Sequence, residues 1–177
     1  MERKWWKESV IYRVFPRSFY DSDQDGIGDL QGIIQKVPYI KSIGANVLWL
    51  SPVFRSPGVD SGYDVSDYMS IMDEFGTLSD FDLLIQTLHK QGMKIILDMP
   101  VNHTSILHPW FIESRSSNRG AKREYYVWRP ADEDGRKPSN WSSFFADSAW
   151  QLDKETNEFY LHLFTKNQPE LNWYSDR

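Results

Sequence analysis

Ala45-Asn-Val-Leu-Trp-Leu-Ser-Pro52 is an almost unbroken apolar run that stops at a Ser-Pro pair. A strand with one wet face would alternate polar and apolar side chains, whereas a run apolar on both faces suits a parallel sheet covered by helices. Both flanks agree with that reading. Upstream, Ile33, Ile34, Val37, Ile40 and Ile43 recur at helical spacing from about Gln31 to Ser42, and Gly44 stands where a C-terminal cap ends a helix. Before it, Ser9-Val-Ile-Tyr-Arg-Val-Phe15 is a short β-branched and aromatic run closed by Pro16, a strand. Downstream, a loop rich in Gly, Pro, Ser and Asp runs to Phe75. Ser79 with Asp82 then makes a capping box for a helix that carries Phe81, Leu84, Ile85 and Leu88 on one face and stops at Gly92. Lys94-Ile-Ile-Leu-Asp-Met-Pro-Val101 is a third strand. Strands alternating with amphipathic helices predict an α/β fold with right-handed crossovers, its functional groups at the strand C-terminal ends.

Composition narrows the function classes. The 177 residues suffice for one buried core, and a net charge of -5 with scattered Lys and Arg argues against a grip on nucleic acid or anionic lipid. No apolar stretch approaches membrane-spanning length, and MERKWWKESVIYRVF lacks the apolar run of a signal peptide. The absence of Cys removes thiolate chemistry and suits a cytoplasmic setting. The aromatic load, 8 Trp, 9 Tyr and 10 Phe, mildly favours a carbohydrate site, where flat rings stack on sugar faces.

Three polar stretches follow the strands: the acidic loop, SPVFRSPGVDSGYDVSDY and DMPVNHTS. Asp21-Ser-Asp-Gln-Asp-Gly-Ile-Gly-Asp29 matches the first half of an EF-hand loop, with carboxylates at alternate positions and a glycine for the turn. Its twelfth position is Gly32 rather than Glu, so it is not an EF-hand. Four carboxylates so close repel unless a cation or lysines offset them, and oxygen ligands favour Ca²⁺, then Mg²⁺; the bland alternative is a solvated acidic turn. Asp98 and Asn102-His103 flank the end of the third strand, as catalytic groups or as satisfied structural ones. After Thr104 the alternation gives way to a segment rich in Trp, Tyr, Asn, Ser and Pro. It has two short strands, Tyr125-Trp128 and Glu158-Phe164, and reads as an excursion from the sheet.

YRVFPRSFYDSDQDGIGDL, WLSPVFRSPGVDSGYDVSDY, EFGTLSDFDLL, KIILDMPVNHTS, HPWFIESRSS and QPELNW, collinear over essentially the whole chain, resemble the α-amylase family of glycoside hydrolases, in its α-glucosidase and oligo-1,6-glucosidase branch. The resemblance implies the N-terminal part, the first three β/α units, of a TIM-type (β/α)₈ barrel with a small domain inserted after the third strand. The expected divisions are 1-103 for the partial barrel, 104-172 for the inserted subdomain and 173-177 for a truncated return. It further implies a Ca²⁺ site of Asp21, Asp23, Asp25, Ile27 and Asp29. Asp64 and His103 would hold sugar hydroxyls, Tyr63 would offer a stacking ring, Phe144, Phe164 and His162 would lie near that pocket, and Asp98 with Asn102 would support it. QPELNW departs from the family's more familiar QPDLNW at Glu170.

Such enzymes act on short α-glucosides by double displacement, using two carboxylates about 5 Å apart. The family carries its nucleophile, acid and third essential carboxylate after the fourth, fifth and seventh strands. None is therefore expected before Arg177, and the remainder of the barrel is the expected partner. The alternatives are a non-catalytic binding relative, of the transporter heavy-subunit type, and an inactive metal-stabilised fragment.

Overall fold

The computed structural model describes residues 4–175, so Met1 to Arg3 and, from the expected return segment, Asp176 and Arg177 lie outside the described residues. The chain forms two compact units, one of residues 1–55 and 68–99, the other of 56–67 and 100–177. No helix among the described residues is long and apolar enough to cross a membrane.

The first unit contains β1 (Ile11–Val14), α1 (Pro16–Phe19), α2 (Leu30–Ser42), β2 (Val47–Leu50), the short β3 (Phe54–Arg55) and, apart from Asp67, its partner β4 (Asp67–Ile71), then α3 (Leu78–Lys90) and β5 (Lys94–Leu97). As the apolar runs predict, β1, β2 and β5 form a parallel sheet in the order β1-β2-β5. The register pairs Val14 with Leu50 and Leu50 with Leu97, so all three strands finish level. Whatever follows them emerges at one end of the sheet. Ile33, Val37 and Ile40 of α2, Leu84 and Leu88 of α3, and Leu48 and Leu50 of β2 meet in one fully buried core.

The capping box is displaced from the expected Ser79 and Asp82. Thr77 Oγ1 accepts from the Asp80 N–H, and Asp80 Oδ2 accepts from the Thr77 N–H at 2.8 Å. Both pairs have the same spacing, and the backbone selects between them: Gly76 turns with φ 120° immediately before Thr77, which starts the helix there. The loop before Phe75, read as irregular, contains β3 and β4.

The second unit adds α4 (Pro109–Ser116), β6 (Trp128–Arg129), β7 (Trp150–Asp153) and β8 (Glu158–Leu161), the strands antiparallel in the order β6-β8-β7. Of the expected strand Tyr125-Trp128 only Trp128 is extended in the sheet, because Arg123–Tyr125 winds into a 3₁₀ turn. The other expected strand ends at Leu161 rather than Phe164. Helix α4 and strand β7 were not expected. Phe111 of α4 stacks on Trp128 at 5.6 Å and meets Tyr160 edge-on at 5.1 Å, so many of the aromatic rings form an ordinary core.

Two glycines fix the path of the acidic loop between α1 and α2. A Cβ on Gly28 would lie 2.1 Å from the Pro16 carbonyl oxygen, and one on Gly32 2.0 Å from that of Tyr20. Gly28→Ala should therefore force the backbone to move and cost about 1–3 kcal/mol, while Thr77→Ala should cost about 1 kcal/mol through the lost cap. Urea unfolding at constant slope measures both, and a Gly28→Ala variant as stable as the parent would refute the close approach.

Candidate functional site

Asp98 follows β5 at the level end of the first unit's sheet. Its Oδ1 accepts from Trp49 Nε1 at 2.6 Å and its Oδ2 lies 3.4 Å from Arg13 Nη2, while the Arg13 guanidinium covers the Trp49 ring at 4.5 Å. This cluster ties the ends of β1, β2 and β5 together. It leaves Asp98 as a fastener of the strand ends.

In the acidic loop the backbone takes up much of the negative charge. Asp21 accepts from the N–H groups of Gln24 at 2.7 Å and Gly26 at 2.8 Å, and the Gly26 bond foremost, with the others, holds its carboxyl below the usual range. For Asp23 the Asp25 N–H pulls down, yet desolvation and the Asp25 and Asp21 carboxylates together raise its pKa. Asp29 caps α2 through Gly32 N at 2.6 Å and also accepts from Ser22. Oxygens of Asp21, Asp23 and Asp29 lie within 4.8 Å of one another, a spacing that suits one hard cation with oxygen ligands at about 2.3–2.6 Å. Asp25 accepts from the Ile27 N–H at 2.7 Å and does not belong to that group of carboxylates.

The second unit brings the sugar-contact candidates together. Asp64 is wholly buried, and its carboxylate accepts from Ser56 Oγ at 2.9 Å, Asp60 N at 3.0 Å and Val59 N at 3.1 Å. Burial costs a carboxylate heavily unless donors replace water, and these donors come from the loop that Asp64 itself closes. Ser61 and Gly62 turn with positive φ, and the Tyr63 carbonyl then meets His103 Nε2 at 3.1 Å. On the other side of the ring, Asn102 Nδ2 is 2.8 Å from Nδ1. Burial first of all keeps the His103 pKa below its usual value, against the Tyr63 carbonyl and the charges of Asp60 and Asp64. The ring is thus a neutral hydrogen-bonding group at pH 7.

Phe164 tilts against the His103 ring with centroids 5.2 Å apart, and Phe144 and Phe145 lie 6.1 and 6.2 Å from Phe164. Phe144 is 78% exposed, which leaves a ring face available for stacking. Phe145, Trp150, His162 and Phe164 line a cavity of about 460 Å³ with Lys137 and Lys166. His162 is buried, its Nδ1 3.3 Å from the Phe164 carbonyl, and desolvation lowers its pKa with Lys137 acting in the same direction.

Sequence reasoning missed Gln168 and Asp60. The fully buried Gln168 accepts through Oε1 from Thr165 N and Oγ1, donates to Asp60 Oδ2 at 2.8 Å, and sets its Nε2 3.0 Å from His103 Nε2. Glu170, noted only as a departure from a motif, is buried with its carboxyl pushed up to about 7 by desolvation. Both lie in QPELNW, and that string was the available signal; their positions beside residues 60–103 are products of the fold.

The family model for the alpha amylase catalytic domain matches residues 13–177. The chain is 57% identical to an oligo-1,6-glucosidase of Parageobacillus thermoglucosidasius, covering 98% of this chain and 31% of that protein. It is 56% identical to one of Bacillus cereus, covering 100% and 32%. Among solved structures, a trehalose-6-phosphate hydrolase of Bacillus licheniformis superposes with a TM-score of 0.96 at 44% identity, covering 98% of this chain and 31% of that one. An isomaltulose synthase of Protaminobacter rubrum gives 0.96 at 48%, covering 99% and 31%. The chain thus spans about a third of the length of these relatives. Shared motifs, shared backbone and near-complete coverage of this sequence lead to one conclusion: the chain belongs to the α-amylase family of glycoside hydrolases.

Proposed function

We propose that this chain is part of an α-glucosidase that acts on short α-glucosides, its second unit shaping the pocket for a glucose ring. The observation that carries the reading is the buried Asp64 and His103 cluster with exposed Phe144 beside Phe164, a polar floor next to an aromatic face. That pairing suits a sugar, which has hydroxyls at its rim and an apolar ring face. The names of the oligo-1,6-glucosidase relatives support hydrolysis and do not favour the non-catalytic reading.

In this reading the reaction retains configuration, with a nucleophile and an acid on opposite sides of the scissile bond. The acids of the pocket, Asp60 and Asp64, are already committed to Gln168 and to loop N–H groups, so both reacting carboxylates come from elsewhere in the whole enzyme. The outer strands of the first unit's sheet, β1 and β5, each pair on one side only within that sheet, which suits continuation by further strands. The acidic loop holds Ca²⁺, or Mg²⁺ in second place, through Asp21, Asp23 and Asp29, and the cation offsets the mutual repulsion that raises Asp23.

Two measurements test these readings. Millimolar isomaltose should shift the NMR resonances of His103, Phe144 and Phe164, and Phe144→Ala should weaken that binding about 2–12-fold, the equivalent of about 0.5–1.5 kcal/mol for one ring contact. Spectra unmoved by the sugar would reject the pocket. Calcium at a hundredfold excess over its dissociation constant should stabilise the fold by about 2.7 kcal/mol, read as a raised thermal midpoint that EDTA reverses. A midpoint indifferent to calcium would reject the metal site.

A further inference from the structure

The cavity of about 460 Å³ in the second unit is framed by chain within residues 137–152 and 159–166. Four of its wall residues are aromatic: Phe145, Trp150, Phe159 and Phe164. Its charged groups are of one sign. Lys137 and Lys166 line it and no Asp or Glu does, although acids outnumber bases by 25 to 20 in the whole chain. Lys137 precedes β7 and Lys166 follows β8, so the antiparallel pairing of those strands brings two positive charges to one hollow.

Most other polar groups of the wall are already engaged. Ser148 Oγ donates to the Trp150 carbonyl at 3.1 Å and accepts from the Trp150 N–H at 3.2 Å. Thr165 Oγ1 donates to Gln168 Oε1 at 2.9 Å, Trp150 Nε1 to Ser139 Oγ at 2.8 Å, and Gln151 Nε2 to the Leu152 carbonyl at 3.1 Å. Left over are the ammonium groups of Lys137 and Lys166, the Gln151 amide oxygen and His162 Nε2, none of which hydrogen-bonds a described residue. His162 is only 3% exposed, yet its one hydrogen-bond partner is the Phe164 carbonyl, 3.3 Å from Nδ1. A carbonyl only accepts, so Nδ1 carries the hydrogen and Nε2 keeps a lone pair with no protein donor. Burial first of all, and the Lys137 charge with it, lower the pKa of this imidazole against the Phe164 carbonyl, so Lys137 is close enough to act on the ring.

We propose that this cavity is a second ligand site, for the phosphate monoester of a small sugar, with the phosphate held by Lys137 and Lys166 and the ring among the aromatic walls. A phosphate monoester carries a charge of about -1.5 to -2 at pH 7, which two ammonium groups match, and Lys serves phosphate as a point charge. The sugar ring accounts for the remaining groups. Its apolar face suits Phe145, which is 60% exposed, and its hydroxyls donate to His162 Nε2 and the Gln151 oxygen. The volume lies within the range of about 300–1,000 Å³ usual for small-molecule sites. A neutral glucoside leaves both lysines unmatched, and free phosphate leaves the aromatic walls unused. The cavity adjoins the Asp64 and His103 cluster through Phe164, whose ring also meets His103, and the proposal does not depend on how that cluster is read.

Side-chain NMR of the chain, titrated at constant ionic strength with glucose 6-phosphate, glucose and inorganic phosphate in turn, tests the site. Glucose 6-phosphate should move the resonances of Lys137, Lys166, His162 and the Trp150 indole along one saturable curve, while Lys154, outside the cavity, stays still. It should bind at least about tenfold more tightly than glucose or inorganic phosphate, and Lys137→Gln or Lys166→Gln should weaken it about tenfold or more without changing the affinity for glucose. The absence of a saturable shift, an equal shift at Lys154, glucose as tight as its phosphate, or lysine substitutions without effect each overturn the proposal. Inorganic phosphate as tight as glucose 6-phosphate overturns the sugar ligand and leaves a general anion site. Both lysines are exposed, and the comparison of the three ligands needs no variant, so the outcome does not hang on a substitution that fails to fold.

Discussion

A carboxylate that is wholly buried must find its hydrogen-bond donors inside the protein, and Asp64 finds them in the loop that leads up to it. Ser56, Val59 and Asp60 all turn inward to it, and the chain can do so only by taking left-handed turns at Gly58, Ser61 and Gly62. The Tyr63 carbonyl is thereby aimed at His103, and Asp60 is left to hold Gln168. The polar floor of the candidate site follows from satisfying one charge. Charge-assisted hydrogen bonds are each worth about 1.5–3 kcal/mol, so three of them are a strong constraint on the loop from Ser56 to Asp64.

The chain answers the problem of crowded or buried acid in three ways. Asp64 is fully supplied by protein donors. Asp21, Asp23 and Asp29 are supplied in part by N–H groups of the turn they occupy, yet Asp23 still bears the repulsion of its neighbours. Glu170 keeps an oxygen with no donor, and burial pushes its carboxyl up to about 7. The gradation separates acids that build the fold from acids whose protonation or ligation remains adjustable.

The parallel sheet was legible because Val47-Leu-Trp-Leu50 and Ile95-Ile-Leu97 have no polar alternation and are flanked by helical patterns, as strands of a sheet covered by helices are. The helices on it were legible because Ile33, Val37 and Ile40, and Leu84 and Leu88, repeat at 3.6-residue spacing. Capping was less so, since Thr77 with Asp80 and Ser79 with Asp82 are equivalent as strings and only the turn at Gly76 distinguishes them. Beyond Thr104 the aromatic residues that pack α4 against β6 and β8 carry no period, because short strands and an eight-residue helix are too brief to impose one. That segment could be recognised only by its motifs.

Residue types and their order were sufficient to define the sheet, its helices, the acidic loop and the list of polar groups available for a site, because periodicity and local charge are properties of neighbouring residues. The tertiary structure alone decided which of those groups meet. Gln168 reaches Asp60 across 108 positions of sequence and His103 across 65, and Glu170 lies beside Asn102 through a bridge between distant backbone segments. A hydrogen bond depends on distance and angle, and folding brings together residues between which the chain itself records no spacing.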